Sequence, residues 1–281
     1  MEFTLKTAIY YDVYTPSTFV FNIQALNISK NQKILSESLQ IKPSLAFKEF
    51  NLKNSKARFF KIQATEYVPF SIHYQAKVAV KPKLIAKKKL LTNTPIFDLK
   101  NEIIPYLTPT RHCPSDKLMD FAFNLFGYIQ TDLEKTLAIN EWIFNNIQYV
   151  SGSTDANTTA FDTLNKREGV CKDFAHLGIA LCRALNIPAR YFTCYASNIY
   201  PPDIHACFEV YLGNNWIVFD PTRLASLNQL VKIADGKDGS EIAVATIFGN
   251  AFCTQMNIEC ELLNEENSES FPSETFFISY L

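Results

Sequence analysis

The stretch from Arg167 to Pro188 constrains the fold most strongly, because it has the pattern of one buried helix with a cysteine in its first turn. Its apolar residues recur at steps of three and four, as on one face of a helix: Phe174, Leu177, Leu181 and Leu185. Asn186 and Pro188 then supply a stop signal. The pattern predicts a helix that begins near Cys171 and packs inside the protein.

Gly169 and Cys171 lie at the predicted start of this helix. Backbone N–H groups there have no partner within the helix and the helix dipole is positive, and both effects favour a thiolate over a thiol. Most cysteines, however, are simply small buried apolar side chains. Cys171 is therefore a candidate nucleophile only if other residues can act with it.

The charge of the chain is nearly balanced, with 27 lysines and arginines against 28 aspartates and glutamates. This balance gives no overall field that would attract nucleic acid or an anionic membrane. The N-terminus lacks the basic and then apolar pattern of a signal peptide, and no apolar run approaches the ~20 residues that cross a bilayer. We expect a soluble cytoplasmic protein that binds neither nucleic acid nor membranes, and the sequence leaves its oligomeric state open.

The seven cysteines are scattered, without a Cys-x-x-Cys pair: Cys113, Cys171, Cys182, Cys194, Cys207, Cys253 and Cys260. Their spacing argues against a disulfide framework and against a zinc site built on thiolates. With four histidines and no short-range pair of ligands, a zinc site is the weakest alternative. We expect no metal and no cofactor, and six of the thiols are expected to be buried and inert.

The first 82 residues alternate between apolar and polar positions, which predicts a half-buried antiparallel sheet. The apolar residues form three runs: Phe3, Leu5, Ile9, Tyr11 and Val13; Phe19, Phe21, Ile23 and Ala25; and Phe70, Ile72, Tyr74, Ala76, Val78 and Val80. Thr15-Pro16-Ser17 is typical of a turn between the first two strands. We assign residues 1–82 to a β-rich N-terminal domain.

Residues 83–114 have the composition of an inter-domain linker, with a run of lysines at its start and four prolines: Pro95, Pro105, Pro109 and Pro114. Residues 115–281 are assigned to a catalytic core. Its first helix has Ser115 as a candidate cap and an inward face formed by Leu118, Phe121, Leu125 and Ile129. Thr131 and Glu134 form a capping-box pattern that opens a second helix, with Leu133, Leu137, Phe144 and Ile147 inside.

A polar stretch at residues 151–160 predicts a surface loop that could line the rim of a site. After Pro188 the period changes from helical to alternating, which predicts strands at 190–195, 205–212 and 216–220, with a hairpin turn at 213–215. A loop is expected at 236–239, followed by strands near 243–247 and 252–262. The acidic, serine-rich end from Asn264 is expected to fray, apart from Phe276 and Phe277.

Two residues downstream of Cys171 could act with its thiol. His205 lies 34 residues on (205 − 171), at the head of one predicted strand, and Asp220 lies 15 further on (220 − 205), at the end of the next. A hairpin brings these positions together across the ladder, about 5 Å apart. A cysteine nucleophile needs a base, and the base needs a third group that fixes its tautomer. A surface histidine and a turn-forming Asp-Pro are the ordinary alternative, but the order of the three residues favours a Cys-His-Asp site.

Four short motifs occur in order along the chain: Gly169-Val-Cys-Lys-Asp-Phe-Ala-His-Leu177, Ile187-Pro-Ala-Arg-Tyr191, His205-Ala206 and Phe219-Asp-Pro-Thr222. Together they resemble the transglutaminase-like superfamily, in its bacterial branch. The first 80 residues resemble, more loosely, the bacterial transglutaminase-like N-terminal domain. The resemblance implies an α+β fold in which an N-terminal antiparallel β domain precedes a papain-like or transglutaminase-like core of helices packed on an antiparallel sheet. It also implies that Cys171 is the nucleophile, His205 the general base and acid, and Asp220 the orienting group.

Two positions depart from the family's pattern. Many relatives have tryptophan two residues after the catalytic histidine, where this chain has Cys207, so a smaller wall of the substrate cleft is expected. The segment Gly236-Lys237-Asp238 is similar to a Gly-Arg-Asp segment of the family, and a lysine cannot make the bidentate contacts of an arginine. Lys237 and Asp238 are further candidates for the cleft wall.

Three more residues could support the site. Asp173 and His176 lie on the same helix as Cys171, where capping or packing is the alternative role. Asn165 precedes the helix, in a predicted loop, and could hold an oxyanion together with the backbone N–H of Cys171.

The expected function is acyl transfer at amide bonds by a cysteine nucleophile. Papain-like peptidases share this chemistry, but their histidine lies on the order of 130 residues or more after the cysteine, so the spacing favours a transglutaminase-like core. Hydrolysis of a peptide or amide through a thioester, by a cysteine protease or amidase acting on a peptide or protein substrate, is preferred, because cytosolic crosslinking would be hazardous and nothing resembles a calcium loop or a regulatory propeptide. The alternatives are a transglutaminase that crosslinks or deamidates glutamines, and a non-catalytic peptide-binding module on the same fold.

Overall fold

The computed structural model describes residues 1–28, 31–53, 55–65, 67–264 and 275–280. In these residues, two four-stranded antiparallel sheets form an N-terminal part, and a third antiparallel sheet of four strands forms a core with four helices. The expected α+β fold is confirmed. None of the helices that the structure describes has both the length and the apolar character that a bilayer crossing requires.

The alternating segments of the N-terminal part form six strands: β1 (Glu2–Val13), β2 (Ser17–Phe21), β3 (Gln32–Lys42), β4 (Ala46–Asn51), β5 (Arg58–Ala64) and β6 (Phe70–Val80). β1 and β3 flank β6 in one sheet, and β2 and β4 flank β5 in the other. Every apolar residue predicted to face inward is buried. Aromatic rings fill the interior, for example Phe70, which stacks on Tyr11 at 5.4 Å and meets Phe19 edge-on at 4.9 Å.

The segment assigned as a linker packs against the core rather than spanning solvent. It contains β7 (Lys83–Ala86) and three short 3₁₀ turns, and its residues Leu90, Leu99, Ile103 and Cys113 are buried. Arg183, in the helix that begins at Cys171, holds the C-terminal part of this segment, because its guanidinium donates a hydrogen bond to the Thr108 carbonyl at 3.1 Å. Proline and lysine content indicates irregular backbone, but it does not reveal the buried apolar residues between them.

The helical layer of the core consists of four helices and one short strand pair: α1 (Met119–Phe126), α2 (Asp132–Asn146), β8 (Gln148–Tyr149), α3 (Ala160–Lys166), β9 (Glu168–Gly169) and α4 (Cys171–Ala184). α4 begins at Cys171, as predicted, and is buried almost throughout. Thr131 caps α2 by accepting the Glu134 N–H at 3.2 Å. β8 and β9 pair in parallel directly before α4.

Three details of the helix predictions were wrong. Ser115 does not cap α1, because it lies in a 3₁₀ turn that precedes the helix. Leu125 and Phe144 are exposed, since α1 and α2 bury narrower faces than the periodicity suggested. α3 was missed, and Asn165 lies on this helix rather than in a loop. Its start does carry a capping signal in the sequence, because Thr159 and Asp162 cap each other's backbone N–H groups.

The core sheet has the order β12-β11-β10-β13, with β10 (Ala189–Ala196), β11 (His205–Leu212), β12 (Asn215–Phe219) and β13 (Leu230–Gly236). The predicted hairpin joins β11 to β12, and Gly213 and Asn214 both have positive φ, as a two-residue hairpin turn requires. α4 packs on β10 and β11. An alanine at Gly178 would place its Cβ 2.7 Å from the Phe208 ring, so the helix and the sheet approach closely there.

The C-terminal strands return to earlier parts of the chain. β14 (Ala245–Phe248) pairs with β2, β15 (Ala251–Leu262) pairs with β1, and β16 (Phe276–Ser279) pairs with β7. Residues 245–262, which the sequence analysis placed in the core, thus add one strand to each N-terminal sheet. The segment expected to fray lies mostly at 265–274, outside the described residues, whereas Phe276 and Phe277 belong to β16.

Candidate active site

Cys171 is the first residue of α4, and the backbone around it is fixed from two sides. The Asp173 carboxylate accepts the Val170 N–H at 2.9 Å, which caps the helix, and the Thr154 hydroxyl donates to the same carboxylate at 2.6 Å. Gly169 is required here, since a Cβ at that position would lie 2.8 Å from the Asp173 Cβ. Asp173 is buried and acts as the cap of α4, which was the alternative role given for it.

His205 and Asp220 lie side by side at the end of the β11–β12 hairpin. His205 Nε2 lies 2.9 Å from Asp220 Oδ2, and both side chains are buried. The last paired residues of the β11–β12 ladder are Phe208 and Phe219, so His205 and Asp220 lie just beyond it. The sequence thus predicted this neighbourhood correctly, through the position of the hairpin turn.

The Asp220 carboxylate accepts hydrogen bonds on both of its oxygens. Oδ1 accepts from the Thr222 N–H at 2.9 Å and from the Thr222 hydroxyl at 2.6 Å, while Oδ2 also accepts from the Ala225 N–H at 3.2 Å. Burial would raise the pKa of Asp220, but the hydrogen bonds from His205 and Thr222 outweigh it and lower this pKa below its usual value. Asp220 is therefore an anion held rigidly at the imidazole.

The imidazole of His205 has a pKa well above its usual value, although burial acts in the opposite direction. Attraction to the sulfur of Cys207, the hydrogen bond to Asp220 and the interaction with the Cys171 thiol raise it. Burial also raises the pKa of the Cys207 thiol well above its usual value, so Cys207 is neutral near pH 7 and does not attract the imidazolium. The Asp220 carboxylate is therefore the group that keeps the pKa of His205 raised at this pH. The imidazolium is thus stabilised beside the thiol of Cys171.

Cys171 completes the arrangement, because its thiol is one of the neighbouring groups that raise the pKa of His205. Asp220 engages Nε2, which leaves Nδ1 to exchange a proton with the sulfur. Cys171 is also half-buried, whereas the nearby Cys207 and Cys194 are fully buried. A thiol that solvent reaches, an imidazole and a buried carboxylate in series can deprotonate the thiol and later return the proton to a leaving group.

Cys207 lies against His205, as its position two residues further along β11 requires. Donor atoms of His205, Cys207 and Asp220 lie within 4.8 Å of one another, and in the described part of the chain these three residues are the group that could hold a metal ion. His205 and Asp220 are already hydrogen-bonded to each other there.

His176 lies near the middle of α4, about one and a half turns beyond Cys171. The loop that carries Lys237 and Asp238 lies beside it. The Gly239 N–H donates to His176 Nε2 at 3.0 Å, and burial lowers the pKa of His176 to about 3. Asp238 accepts from the His112 N–H at 3.1 Å and from the Ser240 hydroxyl at 2.5 Å.

The carbonyl of Lys237 accepts a hydrogen bond from Arg183 at 2.6 Å. These contacts brace the loop at 236–240 against the helix, away from its N-terminus. Asn165 is exposed on α3, and its role as an oxyanion donor stays a prediction.

Tyr149 is a residue of the site that the sequence analysis missed. It pairs with Gly169 in the parallel bridge between β8 and β9, two residues before Cys171, and it interacts electrostatically with Cys171. Burial and the neighbouring Cys171 raise the pKa of Tyr149 to about 12. No local pattern pointed to this residue, because a two-residue parallel bridge between distant segments has no signature in the sequence.

Comparisons with known proteins agree with this fold. The transglutaminase-like superfamily matches residues 119–221, and the bacterial transglutaminase N-terminal domain matches residues 1–102. The chain is similar to the crystal structure of a protein from Cytophaga hutchinsonii described as a putative cysteine protease, with 48% sequence identity, a TM-score of 0.95, and coverage of 99% of this chain and 97% of that chain. The chain belongs to the transglutaminase-like superfamily. Its family and this neighbour support a cysteine-based enzyme.

Curated relatives are more distant. The chain is 23% identical to an uncharacterised protein of Mycobacterium leprae over 61% of this chain and 64% of that protein. It is 31% identical to an uncharacterised protein of Mycobacterium tuberculosis over 36% of this chain and 37% of that protein. The chain thus spans less than two thirds of the length of the curated relatives it matches.

Proposed function

We propose that this protein is a cysteine hydrolase that cleaves an amide bond of a peptide or protein substrate through a thioester on Cys171. The observation that carries the proposal is the buried pair of His205 and Asp220, with Nε2 and Oδ2 2.9 Å apart, beside the thiol at the start of α4. The Cytophaga hutchinsonii neighbour, described as a putative cysteine protease, supports the same reaction class.

The first half of the reaction forms the thioester. The Cys171 thiolate attacks the amide carbonyl carbon, forming a carbon–sulfur bond and moving the carbonyl π pair onto oxygen. The His205 imidazolium then donates its proton to the leaving nitrogen as the carbon–nitrogen bond breaks. Asp220 holds the ring orientation and stabilises the imidazolium while it exists.

The second half of the reaction releases the acid. His205, now neutral, accepts a proton from water as the water oxygen attacks the thioester carbonyl. The tetrahedral intermediate collapses with loss of the Cys171 sulfur, which recovers the proton balance of the resting pair. A primary amine could replace water in this step, and the acceptor decides between hydrolysis and glutamine crosslinking.

Trapping the acyl intermediate tests the proposal. The protein is incubated with a mixture of synthetic peptides and quenched in acid before turnover is complete, and the mass of each cysteine-containing fragment is measured. An acyl adduct is expected on Cys171 and on no other cysteine, and His205→Gln should prevent it because the leaving nitrogen then lacks its proton donor. Cys171→Ala should abolish the adduct and the cleavage, whereas Cys253→Ala, which alters a half-buried thiol on β15, should change neither. Cleavage that survives in Cys171→Ala would refute the proposal.

A second measurement separates water from amine as the acceptor. A glutamine-containing peptide is supplied with a fluorescent primary amine, and the masses of the products are measured by mass spectrometry. Hydrolysis without incorporation of the amine is expected. Efficient incorporation would reassign the protein as a crosslinking transglutaminase with the same nucleophile.

A further inference from the structure

His205, Cys207 and Asp220 offer three different kinds of ligand atom in one buried place. Positions 205 and 207 lie two residues apart on β11, so their side chains project from the same face of the strand. The hairpin adds Asp220 from the residue after β12, and one ligand atom from each side chain lies within 4.8 Å of the other two. A nitrogen, a sulfur and an oxygen thus lie close enough together to share one metal ion.

The spacing of these atoms fits a tetrahedral zinc ion. Zinc binds imidazole nitrogen and carboxylate oxygen at about 2.0–2.2 Å and thiolate sulfur at about 2.3 Å, so the ligand atoms around it lie about 3.3 to 3.6 Å apart. His205 Nε2 and Asp220 Oδ2 are 2.9 Å apart and need to separate by only about 0.4 Å. The Cys207 sulfur, at 4.8 Å or less, needs to move by no more than about 1.2 Å. Magnesium and calcium prefer oxygen ligands alone, so the mixed set selects zinc.

The charges of the three ligands balance the charge of zinc. Asp220 is ion-paired with His205, a cation that becomes neutral when its proton leaves. A neutral imidazole, the Cys207 thiolate and the Asp220 carboxylate together carry two negative charges, which Zn²⁺ cancels. Binding releases the thiol proton and the imidazolium proton to solvent, because metal ligands must be deprotonated. The buried group is then neutral overall, which avoids the cost of an uncompensated charge in the interior.

Asp220 is already held as a metal-binding carboxylate needs to be held. Its Oδ1 accepts the Thr222 N–H at 2.9 Å and the Thr222 hydroxyl at 2.6 Å, and its Oδ2 accepts the Ala225 N–H at 3.2 Å. Hydrogen bonds that orient a ligand in this way typically change metal affinity about tenfold to a hundredfold. They leave the side of Oδ2 that faces His205 for the ion.

We propose that His205, Cys207 and Asp220 form an inhibitory zinc site. Zinc bound there occupies the imidazole and the carboxylate that activate Cys171 in the proposed reaction, so the thiol loses its base while the ion is bound. The half-buried Cys171 is the side from which solvent reaches the group, and water can complete the tetrahedron.

The sulfur ligand is specific to this chain within its family pattern. Many relatives have tryptophan at the position of Cys207, and its indole offers no ligand atom. The zinc site itself does not depend on the proposed function, whereas its inhibitory effect rests on that function.

Zinc binding is measured on the full chain by competition with a fluorescent chelator, after metal has been removed and the thiols reduced. Cobalt(II) is titrated in parallel, since a thiolate bound to cobalt gives a charge-transfer absorption in the near ultraviolet. Cys207→Ala removes the sulfur ligand. Cys182→Ala is the matched control, because Cys182 is an equally buried thiol on α4 outside the group. Cys171→Ala tests whether the thiol of the nucleophile binds the ion instead.

The cobalt absorption is expected in the unmodified protein, in Cys182→Ala and in Cys171→Ala. Cys207→Ala should lose it and should weaken zinc binding at least about a hundredfold, since removing a ligand costs more than removing a group that orients one. Thr222→Val keeps all three ligands but removes one hydrogen bond to Asp220, so it should weaken zinc binding about tenfold, which tests the site even if Cys207→Ala does not fold. Saturating zinc should slow the alkylation of Cys171 by iodoacetamide at least about tenfold, because the thiol then lacks its base.

Unchanged zinc affinity and cobalt absorption in Cys207→Ala would overturn the inference. Loss of both in Cys171→Ala would also overturn it, by placing the ion on the nucleophile. Zinc that binds without slowing alkylation would refute the inhibitory role. These readouts need no substrate, so a failed zinc site leaves peptide cleavage untouched, whereas the proposed function fails if cleavage survives in Cys171→Ala.

Discussion

Replacing Asp220 by Asn tests the electrostatic design of the site with the smallest change of shape. Asp220 uses four acceptor contacts, two on Oδ1 from Thr222 and two on Oδ2 from His205 and Ala225. An amide has one acceptor oxygen and one donor nitrogen, so it cannot satisfy both sides. If its oxygen faces Thr222, its NH₂ group faces His205 Nε2 and favours the tautomer protonated on Nδ1, which cannot accept the proton of Cys171.

The magnitude follows from the burial of the pair. An opposite charge in direct contact typically shifts a pKa by about 1 to 3 units, so Asp220→Asn should lower the pKa of His205 by that amount. Burial of His205 lowers it further, because no anion then offsets the desolvation of the imidazolium. Turnover is expected to fall about 10³ to 10⁴-fold, since the ring loses its orientation and tautomer together.

The same pair makes stability depend on pH. Because the folded pKa of His205 is raised, its contribution is complete below about pH 6.5 and is lost as the pH rises through the folded pKa. The folded pKa of Asp220 is lowered, so its contribution is present above about pH 4 and is lost as the pH falls through the folded pKa. Asp220→Asn should therefore cost most stability between about pH 4 and pH 6.5, by about 3 kcal/mol.

NMR titration of labelled histidine is the assay for the pKa, with His205→Gln to identify the resonance, and urea unfolding at pH 5.5 and pH 9 is the assay for stability. The resonance should titrate well above pH 6.5 in the unmodified protein and below it in Asp220→Asn. A His205 titration that Asp220→Asn leaves unmoved would refute the electrostatic reasoning, whatever happened to turnover.

Three further substitutions test how the core holds the site. Glu209→Gln removes a fully buried carboxylate that Lys232 Nζ reaches at 3.2 Å, and urea unfolding should show a loss of about 3 kcal/mol or more. Gly178→Ala places a Cβ 2.7 Å from Phe208, so calorimetry should show a destabilisation of about 1 to 3 kcal/mol; an unchanged melting temperature would contradict the close approach of α4 to the sheet. Tyr195→Phe removes a hydroxyl that donates at 2.6 Å to a buried carbonyl of the N-terminal part, and urea unfolding should lose about 1 to 3 kcal/mol, with no change in Cys171 alkylation.

Local patterns in the sequence were enough to predict β1, β2 and β6 of the N-terminal part, α4 and the β11–β12 hairpin. In each case the signal and the structure lie within one element or one turn, as with the two-residue turn that brings His205 to Asp220. The catalytic roles of these residues stay a proposal, because position alone does not test them.

Features that depend on distant segments could not be predicted. The pairing of β15 with β1 joins Leu262 to Phe3, and nothing in either strand specifies the other as its partner. Tyr149 reaches Cys171 through a parallel bridge of two residues, which leaves no periodicity to detect. Helix periodicity also overstates burial: Leu125 and Phe144 follow the apolar pattern but lie beyond the area that neighbouring elements cover.

The central claim is that Cys171 is a nucleophile activated by His205 and Asp220, and its reactivity measures this most directly. The rates at which iodoacetamide modifies each cysteine are determined by mass spectrometry at pH 6, where the half-buried Cys253 and Cys260 serve as reference thiols in the same molecule. We predict that Cys171 reacts at least about tenfold faster than both and that Asp220→Asn removes most of this advantage. Equal rates at Cys171, Cys253 and Cys260 would contradict the account.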